Sequence, residues 1–196
     1  MIRTACRAIA ADTAWQRRLA GICVVAVLVL APIAGAMAER GTEYQIKAAF
    51  LFKFGSYVEW PESAFTDQAA PFSIGVTGAP ELIRHLEEIT TGKVVAGRPV
   101  QVRTVGAGES LGGIQMLFVG ADAGADLPGV LVGAGEQPVL IVTETDSSLT
   151  RGSMINFVVT DNKVRFDVGL QSAERNHLKI SSRLLAVARR VVSESS

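Results

Sequence analysis

Residues 44–61 read Tyr-Gln-Ile-Lys-Ala-Ala-Phe-Leu-Phe-Lys-Phe-Gly-Ser-Tyr-Val-Glu-Trp-Pro, and the rest of the chain is organised around them. Tyr44, Phe50, Phe52, Phe54, Tyr57 and Trp60 are six of the twelve aromatic residues in the protein. Ile46, Ala49/Phe50, Lys53/Phe54 and Tyr57/Val58 recur at the i, i+3/i+4 spacing of an amphipathic helix, and Pro61 cannot be built into a continuing turn. One aromatic helix stopped at Trp60-Pro61 is therefore expected. Glu43, Lys47, Lys53, Ser56 and Glu59 keep part of its surface polar. Phe52 and Trp60 fall off the main stripe and require a partner of their own, in the core or on another protein.

Upstream of this helix the chain reads as an export signal rather than as fold. Arg3, Arg7, Arg17 and Arg18 precede an apolar run from Leu19 to Ile33 and small residues ending in Ala36-Met37-Ala38, the order of a secretory signal peptide cleaved after Ala38. An uncleaved membrane anchor is the rival reading, but the run is short against the roughly twenty residues of a spanning helix and contains Gly21 and Pro32. Residues 39–196 then form one periplasmic domain with fifteen Lys/Arg against eighteen Asp/Glu. So weakly acidic a domain leaves no electrostatic footprint for nucleic acid or anionic lipid. Cys6 and Cys23 both lie in the signal, so the exported domain has no disulfide and must be held by packing.

Along the domain, Phe72–Thr77 reads as a strand and Pro80–Ile89 as a helix with Pro80 in its first turn. After a turn region over 90–97, Arg98–Val105 alternates as a half-buried strand, which completes a βαβ unit with parallel strands and a right-handed crossover. Met116–Val119 and Pro138–Thr143 are continuous apolar runs that fit central strands covered on both faces, with room for a short helix over Leu127–Val132 between them. Ser153–Val159 and Val164–Val168 flank an Asp161-Asn162 turn and read as a hairpin at the edge of the sheet. A helix from Ser172 to Val191 closes the chain, with Arg189-Arg190 at the negative end of its dipole. Leu178-Lys-Ile-Ser-Ser fits its stripe less well and allows a kink or short break between Asn176 and Ile180. The fold class is α/β: a three-layer sandwich, its central sheet mostly parallel, with an antiparallel C-terminal hairpin and helices on both faces.

Chemistry is sparse. Gly-Ala turns follow Val105, Val119 and Val132, but the first has Leu111 where a dinucleotide fingerprint needs its third Gly, and Gly92-Lys93 lacks the earlier Gly of a phosphate-binding loop. His85 and His177 have no metal-ligand spacing, and His85, beside Arg84 and Glu87/Glu88, reads as solvated. Ser153 has no nucleophile-elbow context. Asp122/Asp126 and Glu144/Asp146 sit near strand C-termini, where loop carboxylates are ordinarily solvated; they keep only a remote enzymatic reading open. No cofactor, metal or catalytic residue is assigned. Phe157 and Phe166 read as core, while Trp60 divides between core and partner contact, aromatics at element ends being favoured interface anchors.

Lys47-Ala-Ala-Phe-Leu-Phe-Lys-Phe54 with Val58-Glu-Trp-Pro61, Pro71-Phe-Ser-Ile-Gly-Val76, Gly97-Arg-Pro-Val100, Gly152-Ser-Met-Ile-Asn-Phe-Val158, Val164-Arg-Phe-Asp167 and Leu178-Lys-Ile-Ser-Ser-Arg-Leu-Leu185 together resemble the YfiR family of bacterial periplasmic proteins. The match runs nearly the length of the exported chain, in order and spacing. The resemblance implies a non-enzymatic regulator that binds the periplasmic part of an inner-membrane diguanylate cyclase and holds it inactive, controlling cyclic-di-GMP and biofilm formation. Sequestration by an OmpA-like outer-membrane lipoprotein and input to other membrane signalling proteins are further implied. Self-association as a homodimer is a separate expectation. The expected contact surface comprises Lys53, Trp60, Asn156, Phe166, Asp167 and Lys179. Two departures are visible: the relatives' disulfides cannot form in the exported chain, and Gly169 stands where the family's pattern after Phe166 has Asn. The alternative function is a periplasmic small-ligand sensor feeding a sensor kinase, with Gly106, Gly120 and Glu144 around the ligand.

Overall fold

The computed structural model describes residues 41–146 and 148–193, so the signal sequence expected over 1–38 and its cleavage point lie outside the described residues. Glu43–Ser196 forms one compact unit, which carries the sheet and the sites below. The first described element is helix α1, residues 41–57. Ala48, Leu51 and Phe54 on its buried stripe are fully inaccessible, as the apolar spacing requires. The helix stops at Tyr57 rather than at Trp60-Pro61, because β1 (Val58–Glu59) leaves it to pair antiparallel with residues 179 and 180, placing Val58 opposite Ile180 and Glu59 opposite Lys179. The Tyr57 carbonyl accepts from the Ser181 N–H at 2.9 Å, so a partner from the far end of the chain takes a backbone group that a further helical turn would have used.

The strands β2 (Phe72–Thr77), β3 (Val94–Val95), β4 (Arg98–Thr104), β5 (Met116–Val119), β6 (Leu140–Thr143), β7 (Ile155–Thr160), β8 (Lys163–Gly169) and β10 (Arg190–Val192) form one sheet in the order β10-β8-β7-β6-β5-β2-β4-β3. Strands β4, β2, β5, β6 and β7 are mutually parallel, and β5 and β6 are buried at every residue, as strands covered on both faces must be. Helix α2 (Pro80–Thr90) connects β2 to β4 and buries Leu82 and Leu86; α3 (Leu127–Ala134) connects β5 to β6. Residues 94 and 95, expected in a turn region, instead extend as the short strand β3 against Arg98 and Pro99.

One face of the sheet meets α1. Phe54 lies 5.7 Å from Phe157 and 5.0 Å from Phe166, ring centre to ring centre, and Phe118 lies 6.2 Å from Phe157. On the other face a Cβ added at Gly75 would lie 2.8 Å from the Val105 side chain and 3.1 Å from Leu117, and Val105 in turn shares a groove wall with Val130 of α3. Helices thus cover both faces. At the carboxyl ends of β2 and β5, where the connections diverge and α/β folds commonly seat ligands, a Cβ on Gly120 would lie 2.2 Å from the Gly78 carbonyl oxygen. Backbone fills that crevice.

Strands β7 and β8 form the expected hairpin, with Asp161 and Asn162 at φ 51° and 55°, the mirror-image turn that suits twisted strands. The closing helix is not continuous. It is split into α4 (Leu170–Arg175) and α5 (Ser182–Val187), with β9 (Lys179–Ile180) between them. The break falls where Leu178-Lys-Ile-Ser-Ser departed from the helical stripe, and the Ser181 hydroxyl caps α5 by accepting from the Leu184 N–H at 3.3 Å. Residues 190–192, expected in the last helical turn, extend as β10 parallel to β8, so the hairpin lies one strand in from the sheet edge. Arg189 and Arg190 serve an ion pair rather than a helix dipole: Arg189 binds the buried Asp167 carboxylate through Nε at 2.8 Å and Nη2 at 2.5 Å.

Gly120→Ala should lower stability by about 3 kcal/mol, because its new Cβ meets backbone that cannot yield. Gly129→Ala in α3, whose Cβ would meet nothing within 4 Å, should instead raise it by up to about 1 kcal/mol. Thermal or urea unfolding of the two variants reads both.

Candidate functional site

Three polar constellations interrupt the apolar interior. The first gathers at the carboxyl ends of β5 and β6. The Glu144 side chain, 5% exposed, follows β6 directly and receives Lys47 Nζ from α1 at 2.5 Å. Its other oxygen accepts from the Tyr44 hydroxyl at 3.1 Å and the Ala121 N–H at 2.8 Å. Lys47 also pairs with Glu43 and sits 5.2 Å from the Tyr44 ring centre. Burial, and then the Glu144 charge and hydrogen bond, push the Tyr44 phenol well above its ordinary range. Lys47 is 3% exposed and does not line a polar surface as its spacing suggested. Glu144, read as a solvated loop carboxylate, is desolvated and fully engaged.

The second constellation spans β6, β7 and β8. Thr143 Oγ1 donates to Asn156 Oδ1 at 2.7 Å, and Asn156 stands directly across from Asp167. Asp167 is 2% exposed, held by Arg189 and approached by Arg190 at 3.3 Å. That bidentate contact raises the Arg189 pKa further.

The third constellation centres on Gln115, which is 1% exposed. Its Oε1 accepts from the Ser73 N–H at 2.7 Å, its Nε2 donates to the Ala64 carbonyl at 2.6 Å, and its own carbonyl accepts from Trp60 Nε1 at 3.0 Å. The Trp60 ring stands edge-on to Phe72 at 4.9 Å. A shallow cavity of about 400 Å³ beside it is lined by Glu62, Phe65, Asp67 and Arg98, with the Arg98 guanidinium 3.9 Å from the Phe65 ring centre.

The six expected contact residues separate into two groups. Asn156, Phe166 and Asp167 are buried, Phe166 in the aromatic core and the other two in the second constellation. Lys53 and Lys179 are exposed and Trp60 is half-buried. Lys179 faces Glu59 across the β1–β9 pair, next to Trp60, so these form one corner of the molecule. His85 is buried rather than solvated, its Nε2 lying 3.2 Å from Arg84 and its Nδ1 3.6 Å from Glu88. Among the described residues no group of three or more His, Cys, Asp or Glu could hold a metal ion, and no helix is long and apolar enough to cross a membrane. A Cβ on Gly169 would lie 3.0 Å from the Ser153 carbonyl and 3.4 Å from the Leu149 side chain, so an Asn there would crowd both. Lys47 and Glu144 were the pair that periodicity missed. Lys47 lies on the line of Phe50, Leu51 and Phe54, and a lysine on an apolar stripe was the available signal.

Of the strand-end turns, Gly106 borders a groove of about 330 Å³ with Thr77, Glu109, Asp126 and Val130. Glu109 is tied there by the Gly106 N–H at 2.9 Å and Arg103 at 3.0 Å. Gly120 and Glu144 are occupied by protein groups, as described.

Each of the three constellations ties separate elements of the domain together. The chain belongs to the YfiR/HmsC-like family, which matches residues 44–189; this is a regulatory family associated with membrane diguanylate cyclases. No match was found among the curated proteins. Among solved structures, an ABC domain in complex with L-Trp from Streptococcus pneumonia shares 13% identity at a TM-score of 0.46, covering 66% of this chain and 57% of its own. A conserved domain protein from Vibrio cholerae shares 10% at 0.45, with the same coverage of 66% and 57%. This chain therefore spans little more than half the length of either, and so distant a likeness supports no argument.

Lys47→Met and Glu144→Gln should each cost about 3 kcal/mol, since each leaves a buried partner uncompensated, and the double variant should cost clearly less than the sum. Tyr44 adds a signature at high pH. Its folded pKa lies above the ordinary 10.0, so the unfolded chain loses the phenolic proton first. The stability it contributes is complete below pH 10 and declines as pH rises further. The difference in unfolding free energy between wild type and Tyr44→Phe should be constant below pH 10 and shift against the wild type as pH rises above it.

Proposed function

We propose that this protein is a periplasmic regulator that binds the periplasmic part of an inner-membrane diguanylate cyclase and holds it inactive, lowering cyclic-di-GMP and biofilm formation. The family match over residues 44–189 carries this reading. The partner contact falls on the exposed Lys53 and Lys179 and the half-buried Trp60, with Lys179 standing across from Glu59 in the β1–β9 pair. Asn156, Phe166 and Asp167 act on that contact from within: Phe166 seats α1, and Asp167 fastens the chain after α5. An OmpA-like outer-membrane lipoprotein that competes for the same corner would release the cyclase.

The groove at Gly106 and Glu109 favours one second reading, a small-ligand sensor feeding a membrane kinase. A ligand-dependent rise in melting temperature, abolished by filling the groove with Gly133→Leu, would support it.

Deleting the gene should raise cyclic-di-GMP and exopolysaccharide; unchanged levels in a strain that expresses the protein would overturn the reading. Lys53→Glu with Lys179→Glu should reproduce the deletion at normal protein abundance, because both positions are exposed. Trp60→Ala should instead reduce abundance, since it forfeits the Gln115 hydrogen bond and the Phe72 contact. Immunoblots beside the cyclic-di-GMP measurement separate the two outcomes.

A further inference from the structure

Residues 104–150 contain no Lys, Arg or His, yet they include Glu109, Asp122, Asp126, Glu136, Glu144 and Asp146. The fold gives this cation-free run a place. It supplies the connections that leave β4, β5 and β6 at the carboxyl ends of parallel strands, the end at which α/β folds seat ligands. The crevice between β2 and β5 is closed by the backbone of Gly78 and Gly120. Beside it lies the groove of about 330 Å³, and every residue lining that groove except Thr77 belongs to the cation-free run.

The groove is apolar within and acidic at its border. Val105, Leu111 and Ala123 line it from buried positions, and the half-buried Val130 faces it from α3. Gly129 and Gly133 of α3 keep it open, since a Cβ on either would meet nothing within 4 Å. Of the two bordering carboxylates, Glu109 is fixed in place by the Gly106 N–H and by Arg103, which itself does not line the groove. Asp126 stands at the N-cap of α3, where an aspartate ordinarily accepts from its own helix, but it makes no capping hydrogen bond. Among the described residues its carboxylate has no hydrogen-bond or ion-pair partner. An anion in this groove would face two carboxylates with no lining cation, and a neutral ligand would leave Asp126 unused.

We infer that the groove binds a small apolar amine, protonated at neutral pH, with its ammonium group against Asp126 and Glu109 and its hydrocarbon body against Val105, Leu111 and Val130. The volume lies at the low end for small-molecule sites, which suits an alkylamine or aralkylamine better than a nucleotide or an oligosaccharide. A charge-assisted hydrogen bond to the carboxylates orients such a ligand, and burial of its apolar body adds affinity in proportion to the area covered. This inference rests on the small-ligand reading of the groove and names the ligand's chemistry. It is separate from the contact at Lys53, Trp60 and Lys179.

Titration calorimetry of the protein, as isolated from the producing cell, with hexylamine, hexanol and hexanoate tests this, the three probes sharing one chain length and differing in charge. Hexylamine should bind at one site, more weakly as salt is raised, and hexanol and hexanoate should bind about tenfold more weakly or worse. Asp126→Asn should weaken hexylamine about tenfold, and Gly133→Leu should abolish its binding. Asp161→Asn, which removes an equal charge at the β7–β8 turn, should leave it within about twofold. All three substituted positions are exposed, and melting curves confirm that each variant folds. No hexylamine binding, or binding undiminished by Asp126→Asn or Gly133→Leu, overturns the inference. If hexanol or hexanoate binds as tightly as hexylamine and Gly133→Leu abolishes it, the amine chemistry is overturned while the ligand-sensor reading stands. Hexylamine held in the groove, with signalling output unchanged when cells receive it, upholds the inference and sinks the sensor reading alone.

Discussion

Phe54 is the residue on which the rest of the packing depends. Its ring, fully buried, meets Phe157 and Phe166 across the hairpin and stacks on Phe50 one turn back at 6.1 Å. Truncating so well-packed an aromatic costs about 3–5 kcal/mol, a large share of the stability of any domain this size. The ring also determines topology, because it commits an early helix to the face of strands made much later in the chain. With no cysteine after Cys23, no covalent link shares that burden.

Around this apolar seat, polar groups define position rather than add net stability. Burying Lys47 and Glu144 costs desolvation that their attraction roughly offsets, but the pair tolerates only one rotation of α1 over the sheet. Gln115 does the same for the Trp60 corner, and Asp167 for the end of the chain. Each of these side chains is hydrogen-bonded or ion-paired to elements distant in the chain.

Of the expected contact set, Lys53 and Trp60 lie seven residues apart and Lys179 more than a hundred further on, and what brings Lys179 up to the Trp60 end of α1 is the two-residue pairing of β1 with β9. The cation-free run likewise exists in the sequence as a composition, but lines a groove only because β4, β2 and β5 lie side by side with their carboxyl ends together. In both cases the functional reading attaches to sheet order.

The amino-acid sequence by itself determined the α/β class, the central strands, the βαβ unit, the hairpin and the buried stripe of the first helix. Each of those follows from periodicity or from Gly, Pro and Asn placed at turns, which are local properties. It also carried the family, through motifs spread along the whole chain. Only the tertiary structure decided where α1 stops, that the terminal helix breaks into α4, β9 and α5, that Arg190–Val192 extends as a strand, and that Lys47 and Glu144 meet. The physical reason is common to all four. A backbone N–H or a buried charge must find its partner wherever the fold supplies one, and those partners lie between 22 and 124 residues away in the chain, beyond the reach of any local pattern.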